Sequence, residues 1–307
     1  MSDVYLNNAD INLDNIKLQL VRYISLIMHP GLVTPTKLER TMQIAYNAKV
    51  SSGCLSRQVG AVITDKDFAI KSIGWNDVPK GQVPCNLKSI ENLVERERFD
   101  MSSFSNFEKE NLEFKKSIKK INVKINEIEN NIDNKDIVQG RSFPYCFKDI
   151  YNGGVKKGNN QTMTRSLHAE ENAFLQISKY GGIGLEGGNL FTTASPCELC
   201  AKKAYQIGIQ NIYYIDLYPG ISEENILNNG KCRPNLILFE GAIAYTQFYT
   251  PIIPYKDEEY MLLGDNFKNI SGNINEDLEK FKKEIDNMDI CGNVKKDILA
   301  IAKKYFS

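Results

Sequence analysis

Four residues stand out for the chemistry they could do together: His168, Glu170, Cys197 and Cys200. They occur in two short runs, His168-Ala169-Glu170 and Pro196-Cys197-Glu198-Leu199-Cys200. A catalytic zinc ion takes three protein ligands and keeps a fourth position for water, and one imidazole with two thiolates supplies that set. Cys197 and Cys200, three apart, share one face of a helix, so both sulfurs can reach a single ion. Ser195 is expected to cap that helix and Pro196 to sit in its first turn. Both cysteines then lie at the positive end of the helix dipole, which favours thiolate over thiol. Glu170, two residues beyond His168, points in a different direction and is not expected to be a fourth ligand. It can lean over the open position, take a proton from water, hand it to a substrate nitrogen and later protonate a leaving group. A purely structural zinc site would use four ligands, often two Cys-x-x-Cys pairs; only one pair occurs here, and Glu170 would have no task.

The elements that must position these residues are legible in part. From residue 167 the order reads helix (to Lys179), Gly-rich turn, strand (Asn189 to Ala194), helix (Cys197 to Ile207), strand (Asn211 to Asp216), an alternation that implies an α/β layered domain. Upstream, Val59–Ile63 and Phe68–Trp75 are β-branched runs joined by Asp65-Lys66-Asp67 and read as a hairpin. A helix is expected from Lys37 to about Val50, opened by a capping box of Thr36 and Glu39. Leu13, Ile16, Leu20, Ile24 and Ile27 recur at helical spacing, and His29-Pro30 closes that segment. Residues 86–165 read as an insertion. Ile118, Ile121, Ile125, Ile128 and Ile132 form a coiled-coil-like seam, suited either to packing on its own domain or to pairing with another subunit. Residues 133–164 look like loop, and 275–307 like two short amphipathic helices broken near Cys291-Gly292. The expected divisions are 1–35 (helical), 36–260 (the zinc domain with its insertion) and 261–307 (helical tail).

The 307 residues carry 38 Lys plus Arg and 38 Asp plus Glu, so no global charge draws the chain to nucleic acid or an anionic membrane. No apolar run of membrane-spanning length occurs, and the polar N-terminus does not resemble a signal peptide, so a cytoplasmic location is expected. Seven cysteines at irregular spacing argue for thiols and metal ligands rather than a disulfide framework. Cys54, Cys85, Cys146 and Cys232 carry no metal signature. Gly182-x-Gly184-x-x-Gly187 formally matches a dinucleotide loop but follows a helix and precedes a strand, the reverse of the required order. His29 reads as structural, and the run Tyr245–Tyr255 as either a pocket border or packing.

The His-x-Glu run with Pro-Cys-x-x-Cys is the signature of zinc nucleobase deaminases. The chain resembles the cytidine and deoxycytidylate deaminase superfamily in its deoxynucleotide branch, through Gln58–Ala61, Gly74-Trp75-Asn76-Asp77-Val78-Pro79-Lys80-Gly81 and His168–Ala173. A closer resemblance, through Met28–Thr36, Ser51–Gln58 and Gly74–Gln82, is to bacterial anti-phage dCTP deaminases. The resemblance covers about residues 25–85 and 165–260. It implies a cytidine-deaminase-like three-layer α/β/α fold with a mixed five-stranded sheet, a Zn2+ cofactor, dCMP or dCTP as substrate, a homo-oligomer and depletion of deoxycytidine nucleotides during infection. The P-loop kinase-like domain usual in the defence family has no counterpart motif here. From the branch's pattern Asn76 is expected at the deoxyribose. Ala169 and Trp75 are expected around the base, with Phe191 either there or in the core; Arg57, Lys80 and Arg165 are the cations nearest the family segments and candidates for the phosphate. Two rivals share the zinc motif: a deaminase of tRNA or single-stranded DNA, disfavoured by the neutral charge, and a non-catalytic zinc-stabilised binding protein, disfavoured by the intact Glu170.

Overall fold

The computed structural model describes residues 3–6, 13–95, 101–130, 140–156, 158, 163–182, 184–265, 278–288 and 291–305. Ile132, all of 133–139, several positions of 157–162, Ile183 and the start of the C-terminal tail lie outside the described residues, and with them those parts of the seam, loop and tail expectations. Two compact units partition the chain, residues 1–21 with 34–245 and residues 22–33 with 246–307.

In the first unit the strands are β1 (Val4–Tyr5), β2 (Gly60–Thr64), β3 (Ile70–Trp75), β4 (Asn189–Ala194), β5 (Asn211–Asp216), β6 (Asn235–Leu238) and β7 (Gly241–Ala242). Five of them form a mixed sheet in the order β3-β2-β4-β5-β6, antiparallel from β3 to β4 and parallel from β4 to β6, while β1 pairs with β7 alone. Alternation along each strand sorts the core into two layers. Ala61, Ile63, Leu190 and Ile212 face one side; Val62, Phe191 and Ile215 face the other. Helix α2 (Lys37–Ala48) covers the second side through Met42 and Ala45, opened by the expected Thr36–Glu39 capping box. Helices α7 (Ala169–Tyr180) and α8 (Glu198–Gln206) cover the first through Ala169, Ala173, Ala201 and Ala204. The three-layer α/β/α architecture with a mixed five-stranded sheet is therefore as expected.

Local differences have local causes. Phe68 is in the turn rather than in β3, with φ of 66°, because the Asp65 carboxylate accepts the N–H groups of Asp67 and Ala69 and closes a tight loop around it. Helix α2 ends at Ala48 and tightens into a 3₁₀ turn over Lys49–Ser51. Strands β1, β6 and β7 are too short to declare themselves by periodicity.

The insertion builds its own small core from α3 (Ile90–Val94), α4 (Asn106–Glu110), α5 (Leu112–Glu129) and α6 (Phe147–Ile150). Ile118 and Ile125 of the seam are buried there with Phe114, Leu93 and Tyr145, and Ile121 packs against them. Three of the seam's four described members are thus used within the chain, and the fourth, Ile128, is exposed.

Helix α1 (Leu13–Met28) contributes its last turns to the second unit, where Tyr23 meets Phe248 edge-on at 6.2 Å. That unit also holds most of α9 (Tyr245–Tyr249), then α10 (Tyr255–Leu263), helical residues 278–287 and α11 (Gly292–Tyr305). No helix among the described residues is long and apolar enough to cross a membrane.

Candidate active site

The site lies where parallel strands β4 and β5 end, the place at which open α/β sheets offer a crevice. Ser195 follows β4 directly. Its N–H donates to the Asp216 carbonyl at 2.8 Å and its Oγ accepts the Tyr218 N–H at 2.7 Å, tying the two strand ends together. That commitment corrects the expected cap: Cys197 itself is the N-cap of α8, Pro196 precedes it, and the Pro196 carbonyl accepts a hydrogen bond from Ser222 Oγ. His168 is the N-cap of α7, with Glu171 accepting the His168 N–H in a capping box. Glu171 also pairs with Lys203 of α8, so one ion pair joins the two helices that carry the ligands.

Helix α7 rides unusually close on β3. A Cβ at Gly74 would lie 2.2 Å from the Ala169 carbonyl oxygen and 2.6 Å from the Ala173 nitrogen, both main-chain atoms that cannot move alone. Gly74→Ala must therefore lift the N-terminal turn that holds His168 and Glu170. Overpacking of this kind costs about 1–3 kcal/mol. We expect a lowered thermal midpoint together with at least a tenfold loss of turnover, read by calorimetry and a deamination assay on the same preparation.

His168 Nδ1 lies 3.3 Å from Cys197 Sγ and 3.5 Å from Cys200 Sγ, and the three ligand atoms fall within 4.8 Å of one another. Tetrahedral zinc with ordinary Zn–N and Zn–S bonds separates such atoms by about 3.6 Å, so the donors fit that ion. Hydrogen bonds from Cys200 and His168 hold the Cys197 thiol down at about 4, whereas the same pairing and burial push Cys200 well up. Thiolate is the form that binds a divalent cation, so metal binding at this pair would release protons. Glu170 is 4% exposed, and burial raises its carboxyl above the usual range.

His168, Ala169, Glu170 and Cys197 line one cleft. Asn76 and Arg57 line it too. Asn76 is buried, its Oδ1 accepting the Val59 N–H at 2.7 Å and its Nδ2 donating to the Arg57 carbonyl at 2.6 Å, which leaves one amide hydrogen for a ligand. The other expected contacts are not brought here. Trp75 uses its carbonyl to accept from Asn172 Nδ2, and its side chain is outside the cleft lining. Lys80 borders a separate depression with Gly53 and Pro84. Arg165 is committed to Glu108 at 2.7 Å and Gln82 at 3.2 Å. Phe191 is core, stacked on Tyr213 at 4.6 Å on the far face of the sheet. Conversely, Lys148, Thr164 and Tyr218 line the cleft without having been singled out. Tyr218 was findable, since it follows the end of a parallel strand; Lys148 and Thr164 lie in the insertion, where no motif marks them.

A family model described as the cytidine and deoxycytidylate deaminase zinc-binding region matches residues 35–216. The deoxycytidylate deaminase of Enterobacteria phage T2 is 28% identical over 189 residues, 59% of this chain and 81% of the phage protein. That of phage T4 is 26% identical over 190 residues, 59% and 79% of the two chains. Among solved structures, dCMP deaminase from the cyanophage S-TIM5 in complex with dCMP and dUMP aligns with 67% of this chain and 99% of its own, at 20% identity and a TM-score of 0.38.

Proposed function

The chain belongs to the cytidine and deoxycytidylate deaminase family, and from that premise we propose that it hydrolyses the exocyclic amine of a deoxycytidine nucleotide, dCMP foremost, to give the deoxyuridine nucleotide and ammonia. The observation that carries this reading is a buried carboxyl, Glu170, in the same cleft as three converged donors of a zinc site. His168, Cys197 and Cys200 would hold the ion, and zinc when bound supplies Lewis-acid activation of water. The chain's own work is proton handling and placement. Glu170 takes one proton from the attacking water and delivers it to ring N3 of the cytosine, then takes the second from the hydroxyl newly attached at C4 and passes it to the departing amine, leaving the C4 carbonyl and ammonia. Ala169 borders the base, and Asn76 offers its remaining amide hydrogen to the sugar while bracing residues 57–59.

The preference for the monophosphate is supported by the phage relatives' names and by the small cationic complement of the cleft, Arg57 and Lys148 among the described residues. Turnover of dCTP belongs to the same reading, and with it a role in nucleotide depletion during infection. Assembly as a homo-oligomer belongs there as well, read by light scattering. The decisive test is ammonia release from dCMP, dCTP, CTP, deoxycytidine and a short cytosine-containing DNA strand. We expect dCMP to lead and the strand to be inert. Turnover of the strand alone would replace the substrate class, and zinc-loaded protein inert on every substrate would sink the catalytic reading.

A further inference from the structure

The proton chemistry leaves the outer wall of the cleft without a task. There the insertion meets the loop that leads into β2. Lys148, in α6, donates from Nζ to Ser56 Oγ at 2.8 Å and lines the cleft together with the next loop residue, Arg57. The Arg57 guanidinium lies 5.6 Å from the Tyr218 ring and makes a long 3.5 Å contact with Asp216, so most of its five donors are available to a ligand. Glu170, the cleft's acid, is at the buried end. A cleft with ring chemistry at its floor and two cations on its wall fits a ligand that is heteroaromatic at one end and anionic at the other.

A surface lysine is ordinarily a solvated charge. Lys148 differs in being presented from a braced element. Its neighbour Phe147 stacks on Phe114 at 5.3 Å and on Tyr151 at 6.0 Å, and the Arg165 guanidinium lies 5.9 Å from the Phe147 ring. Tyr145 and Ile150 on either side are buried. The insertion core thus fixes the backbone from which the ammonium reaches across to the loop of the main domain.

We propose that Lys148, with Arg57, binds the phosphate of the nucleotide substrate, its ammonium exchanging Ser56 Oγ for a phosphate oxygen. The proposal rests on the deaminase reading and makes the insertion a specificity element of the site. A charge-assisted hydrogen bond of this kind separates substrates by roughly 10- to 100-fold. Lys148→Ala is therefore expected to lower kcat/KM for dCMP by about that factor, in KM rather than kcat. Turnover of deoxycytidine, which has no phosphate, should be unchanged, and Lys148→Arg should stay within a few-fold of the parent. Equal losses on nucleotide and nucleoside, or a loss in kcat, would make Lys148 a structural latch and overturn the proposal. Calorimetric binding of dUMP and deoxyuridine separates this from failure of the deaminase reading. A parent chain that turns nothing over, yet binds dUMP 10- to 100-fold more weakly once Lys148 is alanine, keeps the phosphate site and loses the reaction. Unchanged dUMP binding in the variant overturns the phosphate site itself.

Discussion

Glu170→Gln is expected to reduce kcat on the preferred nucleotide by about 10²–10⁴-fold while leaving zinc content and KM close to those of the parent. The amide matches the carboxyl in size, so the packing around a side chain 4% exposed is kept. What it loses is the capacity to accept and return a proton, and general acid–base catalysis contributes about that range of rate. The ligand atoms belong to His168, Cys197 and Cys200; the one hydrogen bond between them and the Glu170 side chain comes from Cys200, and a glutamine oxygen can still accept it, so metal stoichiometry measured by elemental analysis should remain one per chain. A loss confined to kcat identifies an interaction made in the transition state. A variant retaining activity within a few-fold would remove Glu170 from the mechanism, whereas one that loses its zinc would place it in the metal shell.

The residues proposed for this chemistry are legible because metal binding is local in sequence: each ligand run sits at one helix N-terminus, and donor type and spacing declare the ion. The sheet's central strands are legible for a related reason. Buried β-branched runs such as Val59–Ile63 and Asn189–Ala194 have one way to satisfy both backbone and side chains. What escapes is whatever depends on long-range meeting. Strand β6 is four residues whose partner, β5, lies over 20 positions upstream. Lys148 enters the cleft because an aromatic cluster within the insertion aims α6 at the Ser56 loop, and no residue in that stretch announces the destination. Arg165 and Lys80 fail in the opposite sense. Nearness in sequence to the family segments suggested a phosphate role, yet Arg165 answers to a buried carboxylate and Lys80 to another depression.

That buried carboxylate sets the second large expectation: Glu108→Ala should cost about 3–5 kcal/mol of unfolding free energy, the usual result of removing one partner from a buried charge cluster. Glu108 is 0% exposed and Lys88, its partner at 3.3 Å, 1%. Arg165 donates to the same carboxylate at 2.7 Å, the Tyr145 hydroxyl donates to it at 2.6 Å, and Ser105 closes a capping box with it. One acid therefore answers two cations and a phenol. Truncating it strands Lys88 without a counter-charge, whereas Lys88→Met leaves Glu108 still paired with Arg165 and should cost distinctly less; urea unfolding of both variants checks the order. Burial alone would raise the Glu108 carboxyl, but the hydrogen bonds from Tyr145 and Ser105 and the charge of Lys88 bring it below the usual range. A depressed acid contributes its stability above the unfolded value, about 4.3, and loses it as pH falls through the folded one. The gap between parent and Glu108→Ala should accordingly be full at neutral pH, begin to shrink as pH falls towards the unfolded value and close only below the depressed folded one. A gap that persists undiminished in acid would assign the loss to the cavity rather than the charge. Because Arg165 stands three residues before His168 and lies against the Phe147 ring beside Lys148, the same truncation should raise KM for the nucleotide. The cluster is in this sense what holds the insertion's cation and the metal segment to one geometry.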